Sequence, residues 1–247
     1  MEILSRSHEK LIRSLKQKKY RKQEGLFVVE GKKLVNEALK SDFEIKMVVF
    51  IQKTENELEV NAKTFFTDEI KMKQLSSLTT SPGIMAVIKQ KEEKPLEEED
   101  LIVVLEKIQD PGNLGTIIRT TEAFGVKTIV CSKDTVDHLS PKVIQATMGA
   151  IFRVDLYYLD LLPFLKEKKE NVSIYGTHLK GNNIFDQKLN KPCVIVMGNE
   201  SKGISEELMK VIPHKIKIPI EGKAESFNVS IANAIVLSEF KRQFSAF

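Results

Sequence analysis

Three short segments of this sequence each place chemically capable side chains where a strand gives way to a helix. In open parallel sheets, ligands bind just beyond the carboxyl ends of strands. The first segment, Gln109-Asp110-Pro111-Gly112-Asn113-Leu114-Gly115, joins a strand to a helix. Asn113 suits the N-cap, where its side chain accepts from free backbone N–H groups. Arg119, six residues on, falls in the second turn, so the carboxamide and the guanidinium both lie near the helix start. The second segment, Met197 to Ser205, runs from a wholly apolar strand into a Gly-Asn-Glu loop that sets Glu200 at the strand end; Ser205 then caps a short helix. The third leads from Ile218-Pro219-Ile220 to Ser226-Phe227-Asn228-Val229-Ser230. Pro219 marks an edge or a strand end, and Ser226 and Asn228 sit where free N–H groups open the last helix. Taken singly, each segment has an ordinary structural explanation: a surface arginine, a solvated glutamate in a turn, helix capping.

The elements that would position these groups alternate along the chain. After a charged, proline-bearing stretch at 91–100, Leu101–Leu105 is an apolar strand of the kind buried on both faces. Leu114, Ile117, Ile118 and Phe124 follow at helical spacing, and Gly125 ends that helix. Further strands are expected at 128–131, 154–159, 172–175, 194–197 and 216–220, with helices from Ser140-Pro141 to Ala150 and from Asn228 to Phe244. This is an α/β pattern with a covered parallel sheet. Before the charged stretch, strands at 26–29, 47–51, 64–66 and 84–88 and helices at 32–39 and 68–75 form a small α/β domain. The expected division is therefore a first domain over 1–90, a linker over 91–100 and a second domain over 101–247.

Composition narrows the function. No stretch approaches the roughly 20 apolar residues of a membrane span, and the basic N-terminus lacks the apolar run of a secretory signal. Cys131 and Cys193 lie at strand edges without a CxxC pairing and read as buried thiols of a cytoplasmic protein. His8, His138, His178 and His214 are scattered singly, so neither a metal site nor a hydrolase triad is expected. The glycines around Asn113 invite a dinucleotide reading with Asp134 as ribose ligand, but the text is GxxG rather than GxGxxG. The net charge of +4 is mild. Its distribution is more telling: Lys10, Arg13, Lys16, Lys18, Lys19, Arg21 and Lys22 form a block with no acid among them, either a phosphate-binding surface or a solvated helix face.

DPGNLGTIIRTTEAFGV, VMGNESKGIS and IPIEGKAESFNVSIANAI, in that order and at strand ends, resemble the three motifs of the SpoU/TrmH branch of the SPOUT RNA methyltransferases. The resemblance spans residues 101–247, and the first domain is similar to the ribosomal-protein-like RNA-binding domain many members carry. It implies a deep trefoil knot in the second domain, a homodimer with active sites near the subunit interface, and S-adenosylmethionine held in the knot. The cofactor residues it implies are Thr177, Gly198, Asn199, Ile218, Ile220, Phe227 and Asn228, with Phe227 where the family usually has leucine. The reaction implied is 2′-O-methylation of RNA ribose, with ribosomal RNA favoured over transfer RNA; a non-catalytic RNA-binding or ribosome-assembly protein of the same fold is the alternative from another class.

The resemblance makes Arg119 the catalytic residue. A guanidinium is effectively always charged, so an electrostatic stabiliser that also grips an RNA phosphate is easier to defend than a general base. Asn113 would position the ribose or Arg119. Glu200 would orient Arg119 or satisfy backbone donors of its own loop. Ser226 and Asn228 would shape the cofactor loop.

Overall fold

The computed structural model describes residues 2–51, 61–92 and 94–244. The chain divides into two units: one of Met1–Glu93 with Asp137–Arg153, the other of Lys94–Val136 with Val154–Phe247.

In the first unit the strands are β1 (Glu2–Ile3), β2 (Leu26–Glu30), β3 (Ile45–Ile51), β4 (Thr64–Thr67) and β5 (Ile84–Lys89). They form one mixed sheet in the order β1-β4-β3-β5-β2. Helices α1 (Arg6–Ser14), α2 (Lys18–Glu24), α3 (Lys32–Leu39) and α4 (Glu69–Leu75) accompany it. Ile12, Leu15, Met72 and Leu75 pack with Met47, Val49, Met85 and Val87 in one buried cluster. The intervening Val48, Ala86 and Ile88 are equally buried, as a sheet covered on both faces requires. The basic block thus occupies two helices and the turn between them. Gly25, at φ 63°, ends α2 in the left-handed conformation that glycine adopts without strain.

Residues 137–153 belong to this first unit although both flanking stretches lie in the second. Helix α6 (Pro141–Thr147) stops short of Ala150, because Met148 and Gly149 turn left-handed at φ 53° and 101°. A side chain at Gly149 would collide with Glu37, so only glycine fits there. Arg153 pairs with Glu37, and the Gln145 amide donates to the Glu30 carbonyl. Burial opposes the charge of Asp137, but the hydrogen bonds and charge of Arg21 outweigh it and hold the carboxyl below its usual range. His138 is kept neutral instead: burial lowers its imidazole to about 4, against the pull of Asp137.

The second unit is built on a six-stranded, wholly parallel sheet in the order β11-β9-β10-β6-β7-β8. Its strands are β6 (Leu101–Leu105), β7 (Thr128–Ser132), β8 (Asp155–Leu159), β9 (Ser173–Asn183), β10 (Cys193–Met197) and β11 (His214–Lys217). Every residue of β6, β7 and β10 is buried. Ile102, Val104, Val194 and Val196 pack with α7 (Leu161–Lys168) and α8 (Glu206–Met209). Val103, Leu105 and Ile195 point to the other face and are also fully buried; α5 (Pro111–Ala123) and α9 (Val229–Phe244) pack against each other and carry the remaining buried helix faces. Leu96, from the stretch expected as a linker, packs on this core; Glu93 lies outside the described residues.

Two strands depart from expectation. β11 ends at Lys217, before Pro219, and is an edge strand. β9 runs far past 175 because its pairing with β11 jumps from Gly176↔Lys215 to Asn182↔Ile216. Thr177–Gly181 therefore loop out of the ladder. Gly181 is required at the return, since a Cβ there would sit 2.6 Å from the Ile216 carbonyl carbon. Cys131 and Cys193 are free and buried; burial raises both thiols, Cys193 to about 12, which leaves them unreactive. Among the described residues no helix is long and apolar enough to cross a membrane, and no group of three or more His, Cys, Asp or Glu side chains could hold a metal.

His138 gives this fold a pH dependence with a definite sign. Its folded pKa of about 4 lies below the ordinary 6.5, so the unfolded chain binds the extra proton between those values and stability rises with pH across that window. Urea unfolding is expected to show a loss of about 2 kcal/mol from pH 7 to pH 5 that His138→Asn removes. Equal losses in the two proteins would show that His138 does not carry the dependence.

Candidate active site

The cap of α5 is Asp110, not Asn113. Asp110 Oδ1 accepts from the Asn113 backbone N–H at 2.8 Å, with Pro111 opening the helix. Proline has no N–H to offer and its φ is preset for the first helical position, so the residue before it becomes the cap. That frees the Asn113 side chain, which ties the three strand-end loops together. Asn113 Nδ2 donates to Glu200 Oε1 at 3.1 Å. Asn113 Oδ1 accepts from Asn228 Nδ2 at 3.0 Å. Asn228 Oδ1 accepts from the Ser230 backbone N–H at 2.9 Å and from the Ser230 hydroxyl at 2.6 Å.

The polarity of this relay is set from both ends. A backbone N–H can only donate, so Asn228 must turn its oxygen to Ser230 and its amide to Asn113. An ionised carboxylate can only accept, so Asn113 must turn its amide to Glu200. Glu200 also accepts from Asn199 Nδ2 at 3.3 Å and, more weakly, from the Asp110 N–H at 3.5 Å. It therefore orients two carboxamides and not Arg119.

The donors of the Glu200 loop are served by its neighbour. Asn199 Oδ1 accepts from Ser201 and Lys202 N–H groups, and the backbones of Asn199 and Gly203 pair in both directions. This close turn demands glycine at its base: a Cβ on Gly198 would lie 2.1 Å from the Gly203 carbonyl carbon. Ser205 caps α8 as expected, accepting from the Leu208 N–H.

Beside this turn lies a cavity of about 710 Å³, within the ordinary range for small-molecule sites. Thr177, Gly198, Asn199, Ile218, Ile220 and Phe227 line it, as does Ser226; Asn228 does not, and acts in the relay instead. The sequence reading missed Leu179 and Lys180 from the looped-out part of β9, and Ala232 and Val236 from α9. Gly176 and Gly181, interrupting an apolar strand pattern, were the available signal. Residues 218–227 form no backbone hydrogen bond with any described residue, and 221–228 are exposed. A run of open N–H and C=O groups along one wall suits a ligand recognised by backbone.

Arg119 is exposed on α5 and lines neither the relay nor the cavity. At about 100° per residue its side chain projects about 120° around the helix from Asn113. It forms no hydrogen bond or ion pair with any described residue.

The basic block is split. Arg21 is not a surface cation: it is buried, and its guanidinium donates to Asp137 and to the carbonyls of Leu15 and Lys16. Lys16 donates to the Ser76 carbonyl, and Arg13 to Gln74. Lys10, Lys18, Lys19 and Lys22 are exposed.

A parallel sheet with a ligand-sized cavity and a polar relay at its strand ends defines the class of fold. The SpoU rRNA Methylase family model matches residues 100–238, more than half the chain, and an MRM3-like substrate binding domain matches residues 8–86. The chain belongs to the SpoU rRNA methylase family. It is 31% identical over 229 residues to the 23S rRNA (guanosine(2553)-2′-O)-methyltransferase RlmP of Bacillus subtilis, covering 91% of this chain and 92% of that one. Its fold matches a TrmH-family protein from Porphyromonas gingivalis with TM-score 0.89 and 35% identity, over 98% and 99% of the two chains. It also matches the AdoMet-bound rRNA methyltransferase from Sinorhizobium meliloti with TM-score 0.86 and 29% identity, over 100% and 99%.

The relay makes a swap experiment decisive. Asn113→Asp faces one carboxylate with another and is expected to destabilise the protein by about 1–3 kcal/mol. Adding Glu200→Gln restores a donor opposite the new acceptor, and the double variant is expected to recover most of the loss in thermal unfolding. Additive losses would mean the two side chains do not bond.

Proposed function

We propose that this protein transfers the methyl group of S-adenosylmethionine to a ribose 2′-hydroxyl of ribosomal RNA, with Arg119 stabilising the attacking oxygen. The observation that carries the reading is the relay Asn228–Asn113–Glu200, which ties three strand-end loops together, two of them lining the cavity. The RlmP relative is named for 2′-O-methylation of a 23S rRNA guanosine, and the Sinorhizobium meliloti neighbour holds AdoMet.

The cavity fits this cofactor. Ile218, Ile220, Phe227, Met197 and Ile204 give it an apolar wall for a flat base, while Thr177, Asn199, Lys202 and the open backbone of 218–227 offer polar groups for an amino-acid end. When bound, S-adenosylmethionine supplies an electrophilic methyl group on a sulfonium. The work of the chain is to hold the acceptor hydroxyl in line and to stabilise the charge that grows on its oxygen as the hydroxyl proton passes to solvent. Positioning is worth about 7–11 kcal/mol and one preorganised cation roughly 3–4 kcal/mol. Asn113 and Glu200, bonded to each other, keep the loops in register rather than touching ribose. Arg119, charged and without a partner among the described residues, is the group suited to an anionic oxygen and its neighbouring phosphate.

The same proposal covers the rest of the assembly. Residues 1–90 bind substrate RNA through Lys10, Lys18, Lys19 and Lys22, and residues 101–247 carry the methyltransferase site. The exposed Leu179, Phe185, Phe227 and Ile231 support a homodimer. The knotted path of the C-terminal segment and a cytoplasmic location belong to the same reading.

Arg119→Ala is expected to abolish transfer of labelled methyl to RNA from cells lacking the protein, with cofactor affinity intact. Activity within about tenfold of wild type, ~1.4 kcal/mol, would remove Arg119 from the chemistry. Mapping 2′-O-methyl groups with and without the protein should find the changed nucleotide in ribosomal RNA; a change confined to transfer RNA would overturn the substrate. Reversing Lys19 and Lys22 to Glu should weaken RNA binding and flatten its salt dependence by about 0.7–0.9 per lost phosphate contact. An unchanged slope would make that surface merely solvated.

A further inference from the structure

The turn at Gly198–Gly203 has a second side. There, a smaller cleft of about 280 Å³ is lined by Glu106, Lys107, Gln109, Asn199, Lys202 and Ser205. Its floor is a carboxylate. Glu106 is only 5% exposed, and its Oε2 accepts from the Ser205 N–H at 2.7 Å. Its Oε1 has no hydrogen-bond partner among the described residues, yet it is not sealed from solvent. A buried carboxylate oxygen left open onto a cleft is a strong acceptor awaiting a donor.

The rim carries the opposite charge. Lys107 stands at φ 55°, the left-handed region that a residue with a Cβ occupies only at a cost of about 1–2 kcal/mol. Two bonds enforce it: the Lys107 N–H donates to Ser132 Oγ at 2.8 Å, and the Lys107 carbonyl accepts from Asn199 Nδ2 at 2.8 Å. The relay that orders the active site thus also sets this lysine. Its ammonium is half exposed, 3.9 Å from an equally exposed Asp134. Lys202 is exposed across the cleft and has no ion pair with any described residue. Gln109 donates its amide to the Asp134 carbonyl, and its own oxygen has no partner among the described residues and can serve as a second acceptor.

Acceptors at the floor and ammonium groups at the rim fit a ligand with N–H donors at one end and negative charge at the other. We infer that this cleft seats a nucleotide of the substrate RNA, its base presenting an exocyclic amine to Glu106 and its phosphate lying between Lys107 and Lys202. A carboxylate accepting from a base amine is an established pairing chemistry. The cleft and the cofactor cavity share Asn199, Lys202 and Gly203 as a common wall, so a nucleotide held here is only a loop's thickness from the reacting methyl group. The inference rests on the proposed RNA methylation and would make Glu106 a specificity determinant within it.

The test uses the full chain with S-adenosylhomocysteine saturating the larger cavity, titrated with GMP, AMP, CMP and UMP and followed by ligand-observed NMR. The three nucleotides bearing an exocyclic amine are expected to bind at least fivefold more tightly than UMP. Glu106→Gln keeps an oxygen for the Ser205 N–H but turns a donor to the cleft, and it should erase that preference. Equal binding of all four to wild type, or an unchanged preference in Glu106→Gln, would overturn the inference. Lys107→Gly suits the left-handed backbone, so its melting temperature should not fall; its affinity for all the monophosphates should drop at least fivefold while nucleosides bind as before. Unchanged monophosphate binding would sink the phosphate half. Binding of S-adenosylhomocysteine itself reports separately on the methyltransfer reading: its failure would sink that reading, and failure of the nucleotides alone would sink only this one.

Discussion

The carboxylate of Glu200 at one end and the backbone N–H of Ser230 at the other impose a direction on everything between them. Asn113 and Asn228 have no freedom to flip, because each is bracketed by a group that can only donate or only accept. Neutral hydrogen bonds contribute about 0.5–1.5 kcal/mol each and those to a charged group about 1.5–3. The sum is modest. Its importance is that the bonded residues lie 87 and 115 positions apart in sequence, so a few kcal/mol decides whether three independent loops become one site. The supports continue outward: Asn199 links Glu200 to the Lys107 carbonyl, and Glu106 holds the start of α8.

Against this satisfied frame, residues 218–227 stand out. The relay leaves few polar groups open, whereas this segment's backbone donors and acceptors find no partner among the described residues along the cavity wall. The contrast divides the labour. Side chains hold the loops, and backbone is left to meet the ligand. A ligand that pairs those groups orders the segment and stabilises the folded state in proportion to its binding. Phe227, exposed at 40% on the same wall, is an apolar side chain that water does not favour and a bound aromatic ring or a second subunit would cover.

Much of this was legible in the sequence because it follows from local pattern. β6 and β10 read as continuous apolar runs since both faces are covered, and Ser205 and Asn228 announce helix starts by side-chain chemistry. Motif order pointed to the cavity residues from Thr177 to Phe227. What failed to show was either a local competition for one cap or a contact between residues far apart in the chain. Asn113 looks like a cap until Pro111 is seen to hand that role to Asp110. Arg21 looks like one more surface lysine equivalent until Asp137, 116 residues later, is found paired with it. The loop in β9 depends on a register shift against β11, and the early end of α6 on Glu37 filling the space beside Gly149. None of these has a periodic signature.

The placement of Glu200 also bears on the role of Arg119. A carboxylate at a strand end is the natural partner for a nearby guanidinium, and pairing the two would have been an easy way to stabilise both. Instead Glu200 is committed to two carboxamides, and Arg119 leaves α5 about 120° away from that cluster, with no acidic partner among the described residues. A cation already neutralised by a carboxylate would offer little to a developing oxyanion and would have to break that pair to meet a phosphate. An unpaired one incurs no such cost, and because guanidinium keeps its proton it remains an electrostatic partner throughout the reaction. The relay therefore does two things with one set of bonds: it fixes the loops, and it commits the Glu200 carboxylate to carboxamides rather than to the Arg119 charge.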